Sequence, residues 1–207
     1  MPSFSYERDL TSQFGYQKIA GIDEAGRGPL AGPVFAAAVI IPLDYSPEWL
    51  EVINDSKKLS EKKRELLYES ITTDSQILWN IAQASVEEID EINILQATYL
   101  AMSRSALGLS SPPDHCLIDG KAVPEFVYGH THLIKGDSKS YSIAAASILA
   151  KVARDRLMKE IAEEYPEYQF QKHKGYGTKV HLEALQEHGP CPHHRLSFAP
   201  VARSQRL

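Results

Sequence analysis

Short apolar runs alternate with longer periodic stretches along the chain. The short runs are apolar throughout or alternate with polar residues, and they predict strands at 19–22, 34–41, 76–84, 116–118 and 126–134. The first two runs flank a glycine-rich turn, which predicts an antiparallel hairpin with a longer than minimal loop. Residues 43–54 contain Pro47 and predict a loop.

The longer stretches predict helices. Each has a side chain suited to capping near its start or a helix-breaking residue at its end. The predicted helices run from Ser60 through Ile71, from Ser85 to about Leu107, from about 140 to Pro166, and from Thr178 to about His188. Ser85 and Glu88 have the spacing of a capping box. Apolar residues at helical spacing predict the buried sides of the first two helices, at Leu66, Leu67 and Ile71, and at Ile89, Ile92, Leu95, Tyr99 and Met102.

Composition places the chain among ordinary globular proteins. Its 207 residues are 43% hydrophobic and 24% charged, which suits one large domain or a core with a small appendage. No apolar run approaches the ~20 residues needed to span a bilayer, and no signal peptide precedes the first strand, so we expect a cytoplasmic protein that does not contact membranes. The contexts of Cys116 and Cys191 argue against a structural disulfide.

The charge of the chain limits its binding partners. A formal net charge of −5 argues against sequence-independent coating of nucleic acid, although a local basic groove remains compatible with it. The basic run from Lys57 to Arg64 is either such a groove or a solvated helix face. No heptad pattern or unexplained apolar stripe is present, so we expect a monomer.

The stretch from 18 to 33 carries the strongest chemical signal. Its strand ends on Asp23 and Glu24, and a turn containing Gly26, Arg27 and Gly28 follows directly. Two acids beside a turn that permits close approach and carries a cation suit a polyanion held by metal. The turn also matches a loose dinucleotide fingerprint, but prolines and a strand follow it where that motif requires a helix.

Further acids follow two of the later strand candidates. Asp119 ends the fourth and Asp137 follows the fifth, so both are candidates to join Asp23 and Glu24 in one cluster. Four converging carboxylates would repel one another, and two divalent ions such as Mg²⁺ would resolve that repulsion and support phosphodiester hydrolysis. The alternative is that some of the 27 acidic residues lie at strand ends by chance.

Other candidates admit two interpretations. Ser56 and Lys57 precede a helix, where they either receive a phosphate or serve only in capping. Tyr176 lies between two glycines in a basic loop, where it either packs or stacks on a sugar or base. Cys191 and the pair at 193–194 suggest zinc, but a second ligand pair is missing, so docking or surface histidines are favoured.

Several of these stretches together resemble one known family. The chain contains, in order, G-I-D-E-A-G-R-G-P-L-A-G-P-V, D-S-K-K-L, L-I-D-G, K-G-D-S-K-S-Y-S-I-A-A-A-S-I-L-A-K-V-A-R-D, H-K-G-Y-G-T and H-R-L-S-F. They resemble the motifs of bacterial ribonuclease HII from about Ile19 to Val201. The first and fourth stretches are long and specific.

The resemblance implies both a fold and an activity. The fold is α/β and ribonuclease H-like, a mixed five-stranded sheet flanked by helices, with residues 1–17 as a lead-in, a catalytic domain over 18–207 and a C-terminal helical extension from about 166. The implied activity is cleavage of RNA in RNA–DNA hybrids and at single ribonucleotides in duplex DNA, leaving 5′-phosphate and 3′-hydroxyl ends. A non-catalytic hybrid-binding protein is the alternative from another class.

The resemblance also implies roles for particular residues. It assigns the binding of two Mg²⁺ or Mn²⁺ ions, and catalysis, to Asp23, Glu24, Asp119 and Asp137. It assigns substrate contacts to the 2′-hydroxyl-binding Gly26, Arg27 and Gly28, to Tyr176 at the RNA–DNA junction, and to Ser56 and Lys57.

Overall fold

A central mixed sheet organises the computed structural model, which describes residues 1–53, 56 and 59–204. Within those residues the sheet has five strands in the order β3-β2-β1-β4-β5. The strands are β1 (Ile19–Ala25), β2 (Val34–Ile40), β3 (Leu78–Ala84), β4 (His115–Asp119) and β5 (His130–Leu133). The predicted α/β fold with a mixed five-stranded sheet is confirmed.

Strand β1 lies at the centre of the sheet. It pairs antiparallel with β2, with Ile22 opposite Ala38, so the predicted hairpin is confirmed. It pairs parallel with β4, with Ile22 opposite Ile118. Asp23 and Asp119 are the next residues of these two parallel strands, so both carboxylates emerge at the same edge of the sheet.

Helices cover both faces of the sheet. Among the described residues they are α1 (Ser5–Phe14), α2 (Glu61–Thr73), α3 (Val86–Leu107), α4 (Tyr141–Glu164), α5 (Phe170–His173), α6 (Lys179–His188) and α7 (Ala199–Ser204). Short 3₁₀ turns span Glu48–Glu51, Gly136–Ser138 and Pro166–Tyr168. No described helix is long and apolar enough to cross a membrane.

The side chains of β2 alternate between the two faces of the sheet, and each face packs in its own hydrophobic core. Ala37 and Val39 pack in the core formed with α4, whereas Ala36 and Ala38 pack in the core formed with α3. Successive strand residues point to opposite faces, so an all-apolar strand is buried on both sides. Helix α4 approaches β1 closely, because a Cβ at Gly21 would lie 2.1 Å from the Ser142 carbonyl carbon.

The helix starts follow their predicted caps. The hydroxyls of Ser60 and Ser85 accept main-chain N–H bonds three residues on, and Ser85 completes the capping box with Glu88. Thr178 caps α6 in the same way. These side chains satisfy donors that the first helical turn leaves unpaired, which is why local sequence predicts them well.

Some details differ from the sequence-based expectation. Residues 1–17 contain helix α1, and β5 is shorter than the predicted run. Leu66 and Leu95, expected to be buried, are exposed. Helix α3 is interrupted at Asn93, which has φ 67° and accepts bonds from the N–H groups of Leu95 and Gln96. This break re-caps the helix and changes which residues face the core.

Candidate active site

Asp23 and Glu24 end the buried part of β1 and point to opposite faces of the sheet. Asp23 is 6% exposed, and its Oδ1 accepts a 2.7 Å bond from the Glu24 N–H. It lines a cleft of about 290 Å³ together with Ser147, Lys151 and Arg154 of α4. Glu24 also lines a cavity on the α3 side. The pair therefore lies between two openings of the molecular surface.

Asp119 and Asp137 approach the same edge of the sheet from the next strands. Asp119 Oδ1 accepts a 2.6 Å bond from the N–H of Gly136. Asp137 is the next residue, buried in the 3₁₀ turn that follows β5. The turn that carries Asp137 is thus attached directly to the carboxylate of Asp119.

Burial and neighbouring negative charges disfavour the ionised form of the carboxyl groups at this edge of the sheet. Burial, then the charges of Glu24 and Asp119, raise the pKa of Asp23 well above its usual value, and bonds from Ser147 and the Glu24 N–H oppose the rise. Burial also raises the pKa of Glu24, which the Arg27 guanidinium partly offsets and the charge of Asp119 reinforces. Asp23, Glu24 and Asp119 therefore form one electrostatic cluster.

The donor set fits a divalent cation. Carboxylate oxygens are the ligands that Mg²⁺ and Mn²⁺ prefer, and a cation would relieve the repulsion that raises the pKa of Asp23. Over the described part of the chain, however, no three His, Cys, Asp or Glu side chains are grouped so as to hold a metal ion. Glu24 accepts a bond from Arg27 and Asp119 accepts one from the N–H of Gly136, contacts that offset the carboxylate charges without a metal ion. Metal binding by these side chains remains a prediction.

The glycine turn (Gly26, Arg27 and Gly28) lies beside the carboxylates. Gly26 has φ 99°, and a Cβ there would meet the Arg154 side chain at 2.0 Å, so both conformation and space require glycine. Arg27 Nη1 lies 3.3 Å from Glu24 Oε1, and half of its side chain is exposed. The turn thus presents a cation and open main chain at the rim of the cleft.

Tyr176 also lines that cleft, next to the glycine turn. Its ring is 48% exposed, and a Cβ at Gly28 would be 3.5 Å from its Cε1. The Leu30 N–H donates a 2.8 Å bond to the carbonyl of Gly175, which ties the tyrosine loop (174–177) to the segment after the glycine turn. The structure therefore brings together two elements that are far apart in sequence.

Ser56 contributes to the cleft from a different element. Its buried hydroxyl lies 2.9 Å from that of Ser147, and the carbonyl of Ser56 accepts a bond from Arg64. Lys57 lies outside the described residues. Their predicted substrate contacts remain predictions.

Two buried arginines support the site and were missed in the sequence. Arg154 donates to the carbonyls of Ala31, Pro33 and Lys174 at 2.9–3.1 Å. Arg195 donates to the carbonyls of four residues of the turn and its continuation, Gly26, Arg27, Pro29 and Gly32. Both arginines are at most 1% exposed. Burial lowers the pKa of Arg154 to about 10 and that of Arg195 to about 9.

A buried histidine pair lies behind the tyrosine loop. His181 Nδ1 is 2.9 Å from the Tyr176 carbonyl oxygen, and His181 Nε2 is 2.9 Å from His194 Nε2. His194 Nδ1 accepts from the Cys191 N–H at 3.0 Å. The surface interpretation is therefore wrong for His194, which is 1% exposed. The adjacent H-R in H-R-L-S-F was the available signal for His194 and Arg195.

Solved structures with the same architecture are ribonucleases H. The ribonuclease H2 of Pyrococcus horikoshii OT3 superimposes with a TM-score of 0.74 at 25% identity, covering 91% of this chain and 97% of its own. Bst-RNase HIII, solved in complex with Mn²⁺, superimposes with a TM-score of 0.75 at 18% identity, covering 95% of this chain and 72% of its own. The fold and its edge of carboxylates define an α/β enzyme of the ribonuclease H-like class.

Sequence comparison identifies the family within that class. The family model described as Ribonuclease HII matches residues 20–201. The Ribonuclease HII of Endomicrobium trichonymphae is 55% identical over 199 residues, which cover 96% of this chain and 92% of that protein. The chain belongs to the ribonuclease HII family. It is a metal-dependent endoribonuclease with ribonuclease H activity on RNA–DNA hybrids.

Proposed function

We propose that the chain hydrolyses the RNA strand of RNA–DNA hybrids and also cuts at single ribonucleotides embedded in duplex DNA, leaving 5′-phosphate and 3′-hydroxyl ends. The observation that carries this proposal is the cleft at the end of β1. There, buried Asp23 and partly buried Glu24 lie beside an open glycine turn and an exposed tyrosine. The two carboxyl groups would take part in hydrolysis of the phosphodiester. The glycine turn and the ring of Tyr176 would form the binding surface for one ribose.

The metal-binding role falls to Asp23, Glu24, Asp119 and Asp137. Two divalent ions, Mg²⁺ or Mn²⁺, would activate the attacking water and stabilise the leaving oxygen when bound there. Three of these side chains already influence one another electrostatically, which supports a shared cation site. Arg27, which pairs with Glu24 in the metal-free chain, would be released toward the substrate.

Ribose recognition falls to the glycine turn and Tyr176. The 2′-hydroxyl distinguishes RNA from DNA and both donates and accepts hydrogen bonds, so a glycine main chain that allows close approach suits it. An exposed aromatic ring offers a stacking surface for the sugar of the next nucleotide. The 3.5 Å approach of Tyr176 to the Gly28 position supports a single pocket for both contacts.

The proposed phosphate contacts come from the segment that precedes α2. Ser56 and Lys57 would contact the backbone of the substrate, consistent with the Ser56 hydroxyl in the cleft wall.

We further propose that the chain acts as a monomer in the cytoplasm, with RNA–DNA hybrids and ribonucleotide-containing duplexes as its binding partners. Residues 18–207 would form the catalytic domain, with a helical extension from about 166.

The test is cleavage of an end-labelled DNA duplex that contains one ribonucleotide. We expect a single cut with Mg²⁺ or Mn²⁺, none with a chelator, and none in the all-DNA duplex of the same sequence. Ligation and phosphatase treatment of the fragments would identify the 5′-phosphate and 3′-hydroxyl ends. Binding without a cut would refute the proposal, and a cut that persists in Asp23→Asn would refute the site.

A further inference from the structure

The two proposed ribose-recognition elements are held by neighbouring residues of the C-terminal region. The glycine turn precedes β2, and Tyr176 lies before α6. Arg195 bonds to the glycine turn, and His194 connects through His181 to Tyr176. Consecutive residues of one segment are therefore linked by hydrogen bonds to both recognition elements.

Arg195 holds the shape of the glycine turn. Its Nη2 donates to the Gly26 carbonyl at 2.6 Å, and its Nη1 donates to the carbonyls of Arg27 and Pro29 at 3.0 and 2.7 Å. Its Nε donates to the Gly32 carbonyl at 2.9 Å. A planar guanidinium fixes the relative positions of its acceptors, which a lysine ammonium cannot reproduce.

The histidine pair holds the tyrosine loop through a directed set of hydrogen bonds. The Tyr176 carbonyl only accepts, so His181 donates from Nδ1 and must accept at Nε2. His194 then donates from Nε2, which leaves its Nδ1 to accept from the Cys191 N–H. Each partner fixes the tautomer of the next, and every bond in the set is satisfied only while both rings are neutral.

His181 is also confined by its surroundings. The ring of His173 stacks on it with centroids 4.8 Å apart, and Phe170 meets it edge-on at 5.3 Å. Both histidines of the pair are at most 1% exposed. A ring in such packing has little rotational freedom, so the bond to Tyr176 transmits the position of His194 directly.

We propose that His194 and Arg195 are positioning residues that align Tyr176 with the glycine turn and thereby set the preference for a ribonucleotide at an RNA–DNA junction. This inference rests on the proposed ribose recognition. Neither side chain contacts the substrate in this role; each acts through the element that it holds. Loss of either one would misplace a recognition group, and small misplacements have large effects on rate.

The experiment compares two substrates in every variant. The readout is the ratio of kcat/KM for a duplex with one ribonucleotide to kcat/KM for a long RNA–DNA hybrid. An unfolded fraction lowers both values equally, so the ratio reports only on active molecules. We expect Tyr176→Ala to lower the ratio about tenfold, because it removes one stacking contact.

The variants of the positioning residues follow the same readout. His194→Phe keeps the ring but loses both bonds, and Arg195→Lys keeps the charge but cannot reach four carbonyls. We expect each to lower the ratio at least about threefold, and His194→Gln, which retains a donor toward His181, to restore much of it. The matched control is His193→Phe, because that half-buried ring packs on Tyr165 outside the hydrogen-bonded pair.

A double-mutant cycle distinguishes action through Tyr176 from a separate effect. In the Tyr176→Ala background, His194→Phe should change the ratio by less than about twofold, because the element it holds is already gone. An unchanged ratio in His194→Phe and Arg195→Lys, or full additivity with Tyr176→Ala, would overturn the positioning role. Failure of the wild type to cut the one-ribonucleotide duplex would instead refute the proposed function. If His194→Phe does not fold, the ratio measured for Arg195→Lys decides the question, and an unchanged ratio there overturns the positioning role.

Discussion

Replacing Asp23 by asparagine should make the metal-free protein more stable while abolishing its activity. The carboxylate is buried, and burial with the charges of Glu24 and Asp119 raises its pKa well above the usual value. A raised pKa means that the folded state disfavours the ionised form, so this residue opposes folding at neutral pH. Asparagine removes the charge and keeps an oxygen that accepts the 2.7 Å bond from the Glu24 N–H.

The size of the effect follows from these contacts. No hydrogen bond need be lost and no cavity is created, so the gain should resemble other substitutions that relieve a strained functional site, about 1–2 kcal/mol. For a chain of this length each kcal/mol corresponds to roughly 2–4 °C in Tm. The same substitution removes a proposed metal ligand, so cleavage should fall to the background of the assay.

Thermal unfolding with and without metal measures both effects in one experiment. A ligand that binds only the folded state stabilises it by about 2.7 kcal/mol at a hundredfold excess over its Kd. We expect Mg²⁺ or Mn²⁺ to raise the Tm of the wild type and to leave that of Asp23→Asn nearly unchanged. The matched control is Asp114→Asn. Bonds from the N–H groups of Lys18 and Gln17 lower the pKa of Asp114, so its replacement should lower the Tm.

Two outcomes would refute this reasoning. If Asp23→Asn lowers the Tm of the metal-free protein, the buried carboxylate stabilises the fold and the electrostatic account of the site is wrong. If Mn²⁺ stabilises the wild type and the variant equally, the ion does not bind at Asp23.

Three further predictions concern the fold. Gly21→Ala should destabilise the protein by about 3 kcal/mol, measured by denaturant unfolding, because its Cβ would lie 2.1 Å from the Ser142 main chain. The buried pair of His181 and His194 should contribute stability that is fully present above about pH 6.5 and is lost as the pH drops below it. The reason is that burial lowers the pKa of His194 to about 3 and also lowers that of His181, while the unfolded chain takes up both protons. Ser85→Ala should cost about 1 kcal/mol by loss of the capping box of α3.

Controls exist for these three predictions. Gly129→Ala adds the same methyl group 3.3 Å from the side chain of His115 and should cost much less than Gly21→Ala, because a side chain and not the main chain has to shift. His194→Gln should reduce the acid slope, and His132→Gln, which alters an exposed histidine outside the buried pair, is its control. Ser70→Ala lies inside α2 on its exposed side and should have little effect. A neutral Gly21→Ala, an acid slope in His194→Gln equal to that of the wild type, or equal effects of the two serine variants would contradict the corresponding prediction.

Local signals in the sequence predicted the main helices, strands and the glycine turn. Ser85 and Thr178 cap helices where expected, because capping depends on residues three positions apart. The strand ending on Asp23 and the glycine turn after it were visible for the same reason. The resemblance added the family, because it compares whole motifs at once.

Contacts between distant segments could not be predicted in this way. Arg195 bonds to a turn 169 residues earlier, and His194 reaches Tyr176 only through His181. An arginine and a histidine near the end of a chain are usually exposed, and nothing in their local pattern shows that the fold encloses them. The prediction that Leu95 is buried was wrong for a related reason, because the interruption at Asn93 changes which side of the rest of α3 faces the core.

The hydrogen bonds of Arg195 have a consequence for engineering. They end on carbonyl oxygens, which every amino acid provides, so the conformation of the turn does not depend on which side chain stands at position 27. Half of the Arg27 side chain faces solvent. A replacement there should therefore remove the ion pair with Glu24 and the proposed substrate contact of Arg27 while leaving the supporting scaffold of the pocket in place, so new chemistry can be grafted at that position.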